Sequence, residues 1–333
     1  MPVVFVDTED RVEETPSAAE TNDDEVWLDD GSVTLVAQGI GFRVYKGILA
    51  KQSSVLTDLF GKAQEGRTGQ EDLVVHLPDS SRDWRHVLRV CMSHNVTLRL
   101  RDATPMQTPS AEEVFAYVRL GRKYKIEAIY EQAMEYLKSY FNPDYNHFYQ
   151  QDIWTPPRFR YVDAIGVVNI ARLTSDEPLR LMALLVCCLT DSTELLTGIA
   201  YSDGEVETLS PEDLALCWVA RPKLSTARLR SILRIVTPLL ASPCASRKEG
   251  FGCRDAAQCI MGELHTNATF LEPGNPFMGF NGSEIEELLV TLCERCRAST
   301  AARHSKQHRA AWNDLPALMG MPCPEWKMVD IDG

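Results

Sequence analysis

The sequence predicts an α+β module, a small sheet with helical hairpins, followed by an all-α C-terminal region. Residues 42–45 alternate apolar and polar side chains as a strand does, and the apolar residues that follow as far as Phe60 recur near helical spacing. Because a strand that feeds directly into such a helix must bury both apolar faces, the two elements share one core. Beyond residue 160 the apolar pattern is helical, and this predicts the class of the second region.

Composition and charge indicate a globular body with an acidic tail. The chain has 333 residues, enough for two domains, and 44% of them are hydrophobic. Residues 1–30 carry eleven acidic side chains against Arg11 alone, which leaves only −3 of the net charge of −13 for the rest. We predict that residues 1–25 form a disordered tail, apart from a strand option at the apolar residues 3–6. A nearly neutral body has no basic face for direct nucleic-acid binding.

The sequence predicts an intracellular protein of the cytoplasm or nucleus that does not bind a membrane. Its first ten residues lack the basic residues of a secretory signal, and its longest apolar run, residues 181–189, is too short to span a bilayer. The ten cysteines are therefore expected to be reduced thiols or metal ligands and not a disulfide framework.

The N-terminal module is predicted element by element. The expected elements are, in order, an entry strand at 26–37, its hairpin partner at 42–45, a helix reaching Phe60, a strand at 73–77, a helix capped by Ser80 or Ser81 that buries Trp84, a helix opened by a Ser110–Glu113 capping box, and a helix at 128–141. In the first helix we expect Leu49, Leu59 and Phe60 to lie in the core.

A set of spaced residues links this module to a known family. The set consists of Phe42, Val44, Lys46, Leu49, Ala50, Ser53 and Phe60. It resembles the signature of the BTB/POZ domain, in a form common in fungi, over residues 26–141, although Tyr45 stands where the family most often has His. We expect Lys46 to be a polar flank and Ser53 a buried hydroxyl bonded to the backbone.

The resemblance implies protein–protein interaction and not catalysis. Members of the family form homodimers through their first helices and recruit other proteins, and some act as substrate adaptors for cullin-type ubiquitin ligases. Two other functions stay open: a BTB-type transcriptional regulator acting through partners, and an enzyme with an unrecognised site in residues 142–333. No C2H2 spacing, phosphate-binding loop or hydrolase motif supports either one.

We place the domain boundary in residues 142–160, where Asn142-Pro143 and Pro156-Pro157 break regular structure. Residues 142–240 are predicted to be a helical region that includes a helix start at Ser210-Pro211. Residues 241–333 are predicted to comprise a Cys-containing loop, a long helix from a capping box at Ser283 to about Trp312, and a C-terminal strap over 312–326.

The main chemical candidate is the set Cys244, Cys253, Cys293 and Cys296. On a helix, Cys293 and Cys296 would share one face, so that a second pair from the preceding loop would complete a four-sulfur structural zinc site. Cys259 can replace Cys253 on spacing alone. The alternatives are small buried thiols or a redox role, in which case the chain holds no cofactor.

Histidines offer a weaker candidate. His304 and His308 are four residues apart, a spacing that can bind a metal, but Arg303, Lys306 and Arg309 surround them. We therefore expect a solvated basic face at these positions and not a metal site.

Overall fold

The computed structural model describes residues 21–65, 73–93, 108–150, 155–241, 244, 247–248, 251–266, 274–278 and 284–332. Its elements are, in chain order, β1 Thr21–Trp27, β2 Val33–Ala37, β3 Ile40–Val44, α1 Lys46–Gln52, α2 Ser54–Gln64, β4 Val74–Leu77, α3 Ser81–Cys91, α4 Ala111–Lys123, α5 Glu127–Tyr140, α6 Tyr145–Gln150, a 3-10 turn Tyr161–Asp163, α7 Ala164–Thr174, α8 Glu177–Leu189, α9 Ser192–Thr197, β5 Ile199–Ala200, β6 Val206–Glu207, α10 Pro211–Leu240, β7 Arg247–Lys248, β8 Phe251–Gly252, α11 Cys253–Thr266, α12 Glu284–Val290 and α13 Glu294–Met319.

The chain folds into two compact units, each built from separate stretches of sequence. Unit 1 comprises residues 1–141, 153–176 and 192–208, and unit 2 comprises 142–152, 177–191 and 209–333. The structure is therefore α+β, with a small sheet and a helical C-terminal region, as the sequence predicts. The residues expected to form a helical region of their own, 142–240, are divided between the two units.

A four-stranded sheet with the order β1-β3-β2-β4 forms one layer of unit 1. β2 and β3 are the predicted hairpin, in register from Val33 opposite Val44 to Ala37 opposite Ile40. β4 is parallel to β2, and a parallel pair needs a crossover, which α1 and α2 supply. Phe42 in β3 is fully buried and contributes to the core beneath the sheet.

The predicted single helix is wrong in one respect, because it is broken at Ser53. Ser53 has extended backbone angles and caps α2, since its Oγ accepts a hydrogen bond from the Leu56 backbone N–H at 3.0 Å. The same hydroxyl donates to the Tyr124 carbonyl, so the predicted buried, backbone-bonded role of Ser53 is confirmed. Phe60 is buried as predicted, whereas Leu59 is only half-buried.

Residues 21–25, which the sequence predicts to belong to a disordered tail, are part of a strand. Thr21–Trp27 forms β1, which pairs in parallel with β3. Asp23 is buried: its Oδ1 accepts the backbone N–H of Val26 at 2.9 Å, and its Oδ2 meets Arg85 Nε at 2.7 Å. Acidic composition therefore does not decide the structure here, because a specific arginine and backbone donors satisfy the carboxylate. Residues 1–20, including the strand option at 3–6, lie outside the described residues.

Three helices complete the core of unit 1 around α4. The predicted capping box is confirmed, with Glu113 N–H donating to Ser110 Oγ and Ser110 N–H donating to the Glu113 carboxylate. α3 and α5 both pack on α4, and so does α7 from later in the chain. A Cβ on Gly166 of α7 would overlap the Phe115 ring, so only glycine permits this close approach.

Unit 2 is built on two long helices, α10 and α13, which pack along each other. The predicted start of α10 is confirmed, since Ser210 Oγ accepts the Asp213 N–H and Pro211 occupies the first turn. After α13 the chain returns over the helix: Trp312 Nε1 donates to the Lys327 carbonyl, and Trp326 Nε1 donates to the Trp312 carbonyl, both at 3.0 Å.

Two expectations for the C-terminal part are wrong. The long helix is interrupted at residues 291–293, so α12 and α13 are separate, and α13 continues past Trp312 to Met319. The Cys-containing loop is also more ordered than predicted, because the β7–β8 hairpin leads directly into the 14-residue helix α11. The expected capping residue Ser283 lies outside the described residues.

Candidate metal centre

Four cysteine sulfurs of unit 2 lie together. The Sγ atoms of Cys244, Cys253, Cys293 and Cys296 are all within 4.8 Å of one another. Cys244 Sγ is 3.8 Å from Cys253 Sγ and 3.6 Å from Cys293 Sγ. Sulfurs bonded to one tetrahedral zinc at about 2.3 Å are separated by about 3.8 Å, so the spacing fits a four-thiolate site.

Helix starts place three of these sulfurs. Cys253 is the first residue of α11, Cys293 is the residue before α13, and Cys296 lies in the first turn of α13. The positive ends of two helices thus face the cluster, and positive helix ends stabilise thiolates. Cys293 also donates its backbone N–H to Cys253 Sγ at 3.2 Å. A backbone donor to sulfur stabilises the charged form of a ligand cysteine.

The prediction that Cys293 lies on a helix is wrong, although its proximity to Cys296 is not affected. Cys293 has extended backbone angles, φ −62° and ψ 158°, and precedes the helix. This geometry turns its sulfur toward Cys244 while Cys296 approaches from the first turn. The choice between Cys253 and Cys259 is also resolved, since Cys259 is exposed and does not belong to the cluster.

A hydrophobic cluster supports the sulfurs. It is contributed by α10, α11, α12 and α13 and comprises Ile232, Ile235, Val236, Leu239, Ala256, Ala257, Ile260, Ile285 and Leu292 with Cys253 and Cys296. All of these residues are buried. The cysteines therefore lie at the edge of a packed core, where a metal would be shielded from water on one side.

The thiols of the cluster have unequal acidities. Hydrogen bonding from the Cys296 backbone N–H, and then from Cys244, lowers the pKa of Cys293 to about 7. Burial raises the pKa of Cys296 to about 12 and also raises the pKa of Cys253. Cys293 thus ionises before Cys253 and Cys296, and a bound cation would draw the protons off those two thiols.

The histidine pair does not form the solvated basic face that the sequence predicts. His308 is buried, its ring centroid is 4.2 Å from that of His304, and it packs edge-on against Tyr149 and Phe277. Burial, with the neighbouring His304 and Arg228, lowers the pKa of His308 to about 3. Because the His308 imidazole is neutral, the nearby basic residues do not prevent its burial.

In unit 1 the residues of the BTB-like pattern divide into buried and half-buried positions. Phe42, Val44, Leu49, Ser53 and Phe60 are buried. Lys46 and Ala50 are half-buried, and Lys46 begins α1 with its N–H donated to Ser32 Oγ at 2.9 Å. These residues of the pattern therefore take part in packing and capping.

A buried ionic network in unit 1 was missed by the sequence reasoning. Arg119 of α4 pairs with Glu207 of β6, and its Nη1 lies 3.6 Å from Asp83. Tyr201 donates its hydroxyl to Glu207, and Asn169 Nδ2 donates to Glu207 at 2.7 Å. No local pattern indicates this network, because its members are separated by up to about 120 positions in the sequence.

Comparison with known proteins adds no relative: no protein-family model matches the chain, and no curated protein is significantly similar to it. Across the part of the chain that the structure describes, every helix is too short or too polar to cross a bilayer.

Proposed function

We propose that unit 1 is a protein–protein interaction module of the BTB type, which forms homodimers and recruits a second protein. The observation that supports this proposal is the element order β2-β3-α1-α2-β4-α3-α4-α5 with the family-like residues at its packing positions. The recruited class that we propose includes cullin-type ubiquitin ligases, for which the protein would act as a substrate adaptor. Affinity purification with mass spectrometry tests that part, and the absence of any cullin contradicts it.

The first two helices of unit 1 retain apolar surface for a second copy. Ile48 of α1 is 37% exposed, and Val55 and Leu59 of α2 are half-buried in the single chain. A stable homodimer buries about 2,000 Å² or more, and these side chains would form the apolar centre of such an interface.

Light scattering coupled to size exclusion tests the dimer. The expected mass is about twice the 37.4 kDa of one chain. Ile48→Asp should shift the mass to that of the monomer, because it places a charge in the interface. Leu196→Asp is the matched control, since Leu196 is also exposed in unit 1 but lies outside α1 and α2. A monomeric wild type, or equal effects of both variants, contradicts the proposal.

For unit 2 we propose a structural zinc site at the four cysteines. Four thiolates leave no open coordination position, so the metal would cross-link α11, α13 and the segment at Cys244 without taking part in a reaction. Elemental analysis of purified protein should find about one zinc per chain. The site is contradicted if zinc is absent, or if Cys296→Ser and the exposed Cys259→Ser reduce the zinc content equally.

A further inference from the structure

We infer that Cys244 and Cys293 form an oxidation site, at which a hydroperoxide joins the two sulfurs in a disulfide and the metal is released. This inference rests on the structural zinc site proposed above and adds its regulation. It concerns these two cysteines because they are the two partly exposed members of the cluster and their sulfurs lie close together.

Two of the four cysteines are buried and two are partly exposed. Cys253 and Cys296 are buried, at 2% and 6% exposure, whereas Cys244 and Cys293 are partly exposed. A small oxidant that arrives from solvent therefore reaches Cys244 or Cys293 first. Oxidation of cysteine follows exposure and thiolate character, and both sulfurs would be thiolates when they bind zinc.

The separation of the two sulfurs permits a bond between them. Cys244 Sγ is 3.6 Å from Cys293 Sγ and 3.8 Å from Cys253 Sγ. A disulfide requires about 2.05 Å, so Cys244 and Cys293 must approach by about 1.5 Å. Cys244 precedes β7 and lies outside helices and strands, so it can make this approach without moving an element.

The competing disulfide between Cys244 and Cys253 is disfavoured by what holds Cys253. Its sulfur accepts the Cys293 N–H, and its residue begins α11, whose buried face packs in the hydrophobic cluster. Movement of Cys253 toward Cys244 would break that hydrogen bond and disturb the start of the helix. The Cys293 sulfur also has a backbone donor, the Cys296 N–H, but Cys293 precedes α13, so its side chain can turn toward Cys244 without displacing a helical residue.

The reaction balances with a hydroperoxide as the named oxidant. One thiolate attacks the peroxide and becomes a sulfenic acid, and the second thiolate then displaces its oxygen to form the disulfide. Two thiolates lose two electrons, the peroxide gains them with two protons, and hydrogen peroxide leaves as two waters. A zinc ion bound at the cluster would keep only Cys253 and Cys296 as protein ligands, and a chelator would then remove it more readily than from four thiolates.

Oxidation would change which segments of unit 2 are cross-linked. In the zinc form all four cysteines are joined through the metal, including Cys253 at the start of α11. In the oxidised form only Cys244 and Cys293 are joined, so the start of α11 loses its connection to α13. We expect faster amide exchange in the first turn of α11 after oxidation.

The test uses the zinc-loaded full chain and hydrogen peroxide. Zinc release is followed with a chromogenic chelator, and the disulfide is located by non-reducing peptide mapping. The expected result is loss of all bound zinc, a peptide pair that joins Cys244 to Cys293, and recovery of both after reductant and zinc are added. Cys259→Ser is the control and should release zinc as the wild type does, because this exposed cysteine lies outside the cluster.

Two results overturn the inference while the zinc site stands. The first is that zinc stays bound at a peroxide dose that already oxidises the exposed Cys259. The second is that the disulfide joins Cys253 to Cys244 or to Cys293. A chain that contains no zinc before peroxide is added is a different failure. That result overturns the structural zinc proposal itself, and the release step fails with it.

Discussion

Replacement of Glu207 by alanine is expected to destabilise unit 1 by about 3 kcal/mol. The carboxylate and the Arg119 guanidinium are mostly buried, at 13% and 19% side-chain exposure, and they form an ion pair. Removing one partner of a buried pair costs about 3–5 kcal/mol, because the other charge stays buried. The lower end applies because Asp83 remains 3.6 Å from Arg119. The Tyr201 hydroxyl also loses its Glu207 acceptor, and Asn169 Nδ2 keeps only the Thr208 carbonyl.

Urea unfolding, with amide exchange of α3 and α4 as the local readout, measures this cost. Glu205→Ala is the matched control, because Glu205 is exposed and lies two residues away, and it should change stability by less than about 0.5 kcal/mol. In the double variant with Arg119→Met the penalty should fall, since no uncompensated charge remains. Equal stabilities of Glu207→Ala and Glu205→Ala would refute the reasoning.

The same network predicts the acid sensitivity of unit 1. Burial acts to raise the pKa of Glu207, but Arg119 and the hydrogen bonds from Tyr201 and Asn169 outweigh it, and the pKa is lowered overall. A lowered carboxyl pKa in the folded state contributes stability above the unfolded pKa of about 4.3, and this stability is lost as the pH falls through the folded-state pKa.

A fragment that ends at residue 141 lacks Glu207 and should be less stable than one that ends at 208.

Three further predictions concern single positions. Ser53→Ala should cost about 1–2 kcal/mol in urea unfolding through loss of the α2 cap, whereas Ser54→Ala, exposed one residue later, should cost far less. Leu49→Ala should cost about 2–5 kcal/mol, because Leu49 is fully buried, and a melting temperature close to that of the wild type would contradict its place in the core. Burial lowers the pKa of His308 to about 3, so unit 2 should lose stability as the pH falls from about 6.5, by up to about 1.4 kcal/mol per pH unit. His308→Phe should reduce this dependence, and the part that stays is expected from His304, whose pKa burial also lowers.

The parts of the fold that could be predicted from the sequence depend on residues close together in the chain. The β2–β3 hairpin and the Ser110–Glu113 capping box are of this kind, since each closes within a few residues. The helix break at Ser53 depends on the Tyr124 carbonyl, 71 residues away, and β1 pairs with a strand that begins 19 positions later. Local periodicity contains no information on such distant partners.

The same limit applies to charged residues. Glu207 and Arg119 have the composition of surface residues, and Asp23 lies in an acidic segment with the composition of a disordered tail. Each is buried because a partner of opposite charge from a distant element meets it. The sequence shows how many charged side chains there are, but only the tertiary fold decides which of them are buried beside a partner of opposite charge.

For the metal centre, the sequence supplies the residue types but leaves the choice between Cys253 and Cys259 open. That choice depends on where α11 begins. Because the helix starts at Cys253, Cys259 lies six residues further on, about 9 Å along the axis and on a different face. Only one of the two can reach Cys244, and the exposure of Cys259 agrees. A change that delayed the start of α11 would displace Cys253 from the cluster. Zinc content should therefore fall in Asp255→Pro, which removes the first-turn carboxylate that accepts the Gly252 N–H. Zinc content should persist in Asp255→Asn, which keeps an acceptor oxygen at that position.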